Sequence, residues 1–136
     1  MRHIKQDRYL TALGAAAAFL AVALGAFGTH GLRDRLSSEM LAIWHTGVEY
    51  HFGHALAAIL AGIASSMYRS HLIRLAGWLF LAGILVFSGS LYALSVTGEK
   101  MLGAVTPLGG LCFLGGWCMF ALGAYQEPKK DANEEP

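Results

Sequence analysis

Four runs of the chain carry no Asp, Glu, Lys or Arg: residues 9–32, 50–68, 75–98 and 101–126, which are 24, 19, 24 and 26 residues long. A helix needs roughly 20 apolar residues to cross a ~30 Å hydrocarbon layer, so each run is long enough or nearly so. Backbone N–H and C=O groups cannot stay open in lipid, which leaves the helix as the form such runs take. The pattern predicts an all-α fold, a four-transmembrane-helix bundle, with helices at about 9–30, 42–68, 72–97 and 102–125. The connections "GLRDRLSSE", "RSH" and "GEKM" are short and force neighbouring helices antiparallel, up-down-up-down. One membrane domain over 1–126 is expected. The tail "QEPKKDANEEP" is charged, holds two prolines and reads as disordered over 127–136.

Composition agrees with the pattern. The chain is 55% hydrophobic and 14% charged, against roughly 25% charged residues in soluble domains. Its 17 glycines and its alanine runs suit close helix packing in a membrane. A secretory signal is the other reading of the first run, because "MRHIKQDR" is basic and "AVA" at 21–23 resembles a cleavage site. The apolar stretch, however, exceeds the roughly 7–15 residues of such a signal, so it is read as a retained helix. A net charge of +1 speaks against a nucleic-acid partner. Cys112 and Cys118 point to nearly opposite sides of one helix and are read as small apolar fillers.

Orientation follows from Lys and Arg. One side of the bundle carries Arg2, Lys5, Arg8, Arg69, Arg74, Lys129 and Lys130, and the other carries Arg33, Arg35 and Lys100. The positive-inside rule then places both termini in the cytoplasm. Tyr9, Tyr68 and Tyr125 mark three helix ends at that same interface, as an aromatic belt would.

At about 1.5 Å per residue, the unusual residues of all four helices fall at the end opposite the termini. They are "GAFGTH" at 25–30, Glu49 to His54, "FSGSLY" at 87–92 and "TPLGG" at 106–110. The other end is expected to be mostly Ala, Leu, Ile, Val and Gly. The candidate polar cluster is His30, Glu49, Tyr50, His54, Ser88, Ser90, Tyr92 and Thr106. Glu49 is expected to pair with Arg33, Arg35, Lys100 or His45 rather than to act as a free base. Tyr50 and His54 are expected to face the bundle, His54 more than His51, with Tyr50, His54, Tyr92 and Thr106 hydrogen-bonded to one another.

Sharper chemistry finds little footing. From Glu49, His51 lies about 200° and His54 about 140° round the helix, so these groups cannot converge on one metal from one helix. H-E-x-x-H and Cys/His finger spacings are absent. Haem held by His30, His51 and His54 would need room that Gly/Ala-rich helices do not leave. A proton path would need ionisable groups through the whole thickness. No nucleophile–base pair, phosphate loop or dinucleotide fingerprint occurs.

"GAFGTHGL", "TGVEYHFGHAL", "FSGSLY", "TPLGG" and "GW", in that order, resemble the small integral membrane proteins of domain-of-unknown-function family 423, over roughly residues 9 to 125. The motif residues that carry the resemblance are Gly25, Gly28, His30, Gly31, Thr46, Gly47, Tyr50 and His54. On the later helices they are Ser88, Gly89, Ser90, Tyr92, Thr106, Pro107, Gly109, Gly110, Gly116 and Trp117. The resemblance implies four membrane helices in a bacterial inner membrane and supplies no activity, substrate or cofactor. The expectation is a non-enzymatic multi-pass protein without metal, cofactor or catalytic residue. It would act as a structural or accessory subunit, in a homo-oligomer or a larger membrane complex within the lipid bilayer. The competing reading is a binder or transporter of a small ligand or ion at the outer polar site.

Overall fold

The computed structural model describes residues 2–126, with side chains from residue 6. The expected tail over 127–136 lies outside the described residues. The chain forms α1 (Arg2–Phe27), α2 (Ser38–Met67), α3 (His71–Gly83), α4 (Gly89–Thr97) and α5 (Met101–Tyr125), and no strand occurs among the described residues. A π-helical turn, Gly28–Leu32, prolongs α1, and a second, Ile84–Ser88, joins α3 to α4 into one rod. The result is a bundle of four rods.

The rods alternate in direction. Asp7 near the start of α1 meets Ser65 near the end of α2 and Arg74 in the first turn of α3. At the far end Trp44, early in α2, reaches Leu24 late in α1 and Tyr92 in the first half of α4. Local chemistry fixes the turns between rods. The Ser37 and Ser70 hydroxyls accept from the Met40 and Ile73 N–H groups and cap α2 and α3. Gly98, at φ +70°, closes α4 in the left-handed region that glycine enters without penalty.

Three rods are long and apolar enough to cross a membrane: Gln6–Leu32, His71–Thr97 and Met101–Tyr125. The second rod, α2, is the longest helix at 30 residues but falls short on hydropathy because it carries Glu39, His45, Glu49, His51 and His54. Its position compensates. α2 packs against α1 on one side and the α3–α4 rod on the other, so neighbours cover much of its surface.

Water-driven collapse does not operate between helices in lipid, so contact depends on backbones approaching closely. A Cβ on Gly14 would lie 2.8 Å from the Ile59 backbone nitrogen and 3.1 Å from the Ala55 carbonyl oxygen. Only glycine lets α1 lie on α2 there. Where α5 crosses the third rod, Gly109 meets the Phe87 backbone in the second π turn. The packed centre is Ala55, Ala57, Ala58, Ala76, Phe80, Ile84 and Phe113, with Leu10, Ala61, Ala64 and Ile73 toward the other end.

Candidate functional site

Three separate polar contacts tie the helices, two toward the end opposite residues 2 and 126 and one, at His54, near mid-depth. The first is built on α2. The His51 Nδ1 lies 3.1 Å from the Tyr92 hydroxyl of α4, and the His51 side chain is buried. Tyr92 also packs on Trp44 with ring centroids 4.7 Å apart. The Trp44 indole N–H donates to the Leu24 carbonyl at 3.0 Å. One aromatic group of α2 thus links α1 to α4.

The second contact belongs to His54. Its Nδ1 is 2.8 Å from the Tyr50 carbonyl, one turn back. The Trp117 indole of α5 donates to His54 Nε2 at 3.2 Å. An indole nitrogen is a donor only, so Nε2 must accept and the ring proton sits on Nδ1, aimed at the carbonyl. The imidazole is therefore neutral and both its nitrogens are occupied. It stacks on Phe113 with centroids 3.5 Å apart, beside Phe80 and Tyr50.

The third contact is a hydroxyl pair, Ser90 of α4 with Thr106 of α5 at 2.7 Å. Each also reaches a carbonyl of its own helix, Phe87 and Leu102 respectively. Interhelical bonds of this kind contribute about 0.6 kcal/mol on average and seldom above about 1.7, so together they hold a geometry more than they drive folding.

Several expected cluster members stand elsewhere. His30, in the first π turn, and Glu49 are exposed. Among the described residues no ion pair joins Glu49 to Arg33, Arg35, Lys100 or His45. Arg33 and Arg35 lie in the turn before α2 and Lys100 in the turn before α5, and His45 is itself exposed. Tyr50 is 44% exposed, its ring resting on Phe87 with centroids 4.6 Å apart. Tyr50, His54, Tyr92 and Thr106 do not bond to one another through their side chains; their partners are other residues. His51, expected to face the bundle less than His54, is the more deeply buried of the two histidines. The angle that separates them is small enough for both to fit a helix that has neighbours on two sides. Ser88 is fully buried, with no hydrogen-bond partner for its hydroxyl.

The opposite end is not purely apolar. Asp7 and Arg74 form a buried ion pair, Arg74 Nε to Asp7 Oδ1 at 2.6 Å, and the Ser65 hydroxyl donates to the same oxygen at 2.8 Å. Arg74 Nη2 lies 3.3 Å from Asp7 Oδ2. This triad joins α1, α2 and α3, and sequence reasoning missed it. The available signal was depth: Asp7 and Arg74 each stand one turn or so from a helix start on the same side of the bundle. No group of three or more His, Cys, Asp or Glu among the described residues is arranged to hold a metal ion.

Residues 24–110 match the family described as "Protein of unknown function (DUF423)". The chain belongs to the DUF423 family. It is similar to the UPF0382 membrane protein YwdK of Bacillus subtilis, at 50% identity over 82% of this chain and 92% of that one. It is also similar to UPF0382 membrane proteins of Staphylococcus haemolyticus, at 41% identity over 84% and 93% of the two chains, and of Staphylococcus epidermidis, at 44% over 81% and 89%. No solved structure matches the chain. These relatives and the apolar rods make it a membrane protein of unknown biochemical activity in a lipid bilayer. The DUF423 match takes in the whole of α2, the α3–α4 rod and the outer parts of α1 and α5. It therefore covers every residue of the three polar contacts except Trp117.

Proposed function

We propose that this DUF423 protein is a non-catalytic, structural or accessory subunit of a bacterial inner membrane, with both termini in the cytoplasm. The observation that carries the reading is that the polar groups between the helices bond to one another. His51 binds Tyr92, Ser90 binds Thr106, and His54 is occupied on both ring nitrogens. A catalytic base or ligand-binding group needs a free lone pair or proton facing a substrate. Here His51, His54, Ser90, Tyr92 and Thr106 spend theirs on neighbouring helices or on nearby carbonyls, while His30 and Glu49 stay exposed. The seven Lys and Arg residues on the side of the termini, against Arg33, Arg35 and Lys100 on the other, support the orientation. Its partner is a second copy of the chain or a larger membrane complex.

A double-mutant cycle tests the structural role. His51→Leu, Tyr92→Phe and the double variant are unfolded reversibly in mixed micelles. The expected coupling is about 0.6–1.7 kcal/mol, the range measured for interhelical hydrogen bonds. Strictly additive effects near zero would mean that this contact holds nothing together. The outer end would then be free for the competing role, binding a small ligand or ion.

A further inference from the structure

Between α1 and α2, at the end where α1 begins, lies an open cleft of about 520 Å³ lined by Arg8, Thr11, Ala12 and Ala15 of α1 and by Ile63 and Ser66 of α2, among others. That volume falls within the roughly 300–1,000 Å³ of small-molecule sites. We propose that this cleft holds one membrane phospholipid, its phosphate on Arg8 and Ser66 and an acyl chain along Ala12, Ala15 and Ile63.

The polarity of the lining carries the assignment. Arg8 and Ser66 are exposed, and neither has a partner among the described residues. The Thr11 hydroxyl is already committed to the Asp7 carbonyl. The Asp7 carboxylate is committed to Arg74 and Ser65, so its charge is compensated and Arg8 is left as the surplus cation. A guanidinium fits a phosphate through two parallel N–H donors. From Arg8 to Ala15 the helix rises about 10 Å, and over that distance the wall changes from charged to purely aliphatic. A phospholipid has this same gradient, with an anionic head at the interface and hydrocarbon below it. A free anion would leave the aliphatic half empty, and a neutral diacylglycerol would leave Arg8 without a counter-charge. The cleft exists because α1 and α2 touch along its floor at Gly62, where an added Cβ would meet the Thr11 side chain and the Asp7 carbonyl oxygen. The inference stands independently of the accessory role, since the cleft shares no lining residue with the three polar contacts.

The test is native mass spectrometry of the full chain in detergent, supplied separately with phosphatidylglycerol, phosphatidylethanolamine, diacylglycerol and inorganic phosphate. One retained phospholipid per chain is expected with the first two, and no adduct with the last two. Arg8→Gln should lower the bound fraction about fivefold, the effect of about one interfacial cation on lipid attachment. Ala15→Leu, which fills the cleft, should lower it at least as far. Arg33→Gln, at the far end, should leave it unchanged. Arg8 is exposed and unpaired, so its variant tests the head-group contact even if Ala15→Leu fails to fold. Equal retention in both cleft variants would overturn the proposal, as would loss in Ala15→Leu with full retention in a folded Arg8→Gln. So would diacylglycerol bound as well as phospholipid, retention of inorganic phosphate alone, or a dimer that Ala15→Leu splits with its lipid still attached.

Discussion

Asp7 and Arg74, 67 positions apart in sequence, meet in a site where neither is more than one-tenth exposed. Removing one partner leaves an uncompensated buried charge, which costs about 3–5 kcal/mol, whereas replacing both with apolar groups is often close to neutral. Asp7→Leu is therefore expected to destabilise the bundle by about that amount in a denaturation titration. The double variant Asp7→Leu, Arg74→Leu should recover most of the loss. A double variant as unstable as the single one would mean that the pair does more than neutralise itself. Single residues were also where the sequence was least legible. The charge-free runs located the helices, but Asp7 and Arg74 each sit just outside a run, and a count of Lys and Arg per side gives neither of them a partner. Likewise His51 and His54 differ by three positions, and a helix with neighbours on two sides accepts both. Helical angle alone cannot choose between such residues without knowing where the neighbours stand.

The helices themselves were readable from the pattern. Hydropathy and charge gaps gave four rods because lipid admits no other closed form for isolated runs. Their internal breaks were not readable. "GTHGL" and "ILVFS" look like ordinary helical sequence, yet each forms a π turn, a local widening that depends on what packs beside it. At the second turn the partner is Gly109, against the Phe87 backbone. Glycines thus divide into those that permit a crossing and those that do not. Gly109→Val should disrupt the α5 contact and lower thermal stability sharply, as overpacking against fixed backbone does. Gly53 has open space around its Cβ position, so Gly53→Ala should be neutral or stabilise by up to about 1 kcal/mol through helix propensity. Melting curves of the two variants check the contrast. Equal losses would mean that the crossing is not set by backbone proximity.

For the molecule as a whole, the separation of its two ends was more legible in the pattern than the details of either. Of the outer motifs, Ser90 meets Thr106 and Tyr92 meets His51, while His30 and Glu49 stay exposed; Tyr9, Tyr68 and Tyr125 are all exposed. What links the outer residues was hidden, because Trp44 and Trp117 look like plain apolar residues until their indole N–H groups find Leu24 and His54. Orientation is open to a direct check. A reporter active only in the periplasm should give no signal when fused after Gln126, and a strong signal when inserted at Asp34 in the α1–α2 turn. The reverse pattern would invert the protein in its membrane and leave the bundle unchanged. The central claim is that this chain works by packing against other protein. It is tested most directly by the native mass of the untagged protein released from its own membrane under mild conditions. The expected result is a species well above the 14.6 kDa of a single chain, made of several copies or of this chain with a larger membrane protein. A lone chain at 14.6 kDa carrying a small molecule that His51→Leu or His54→Leu displaces would contradict it.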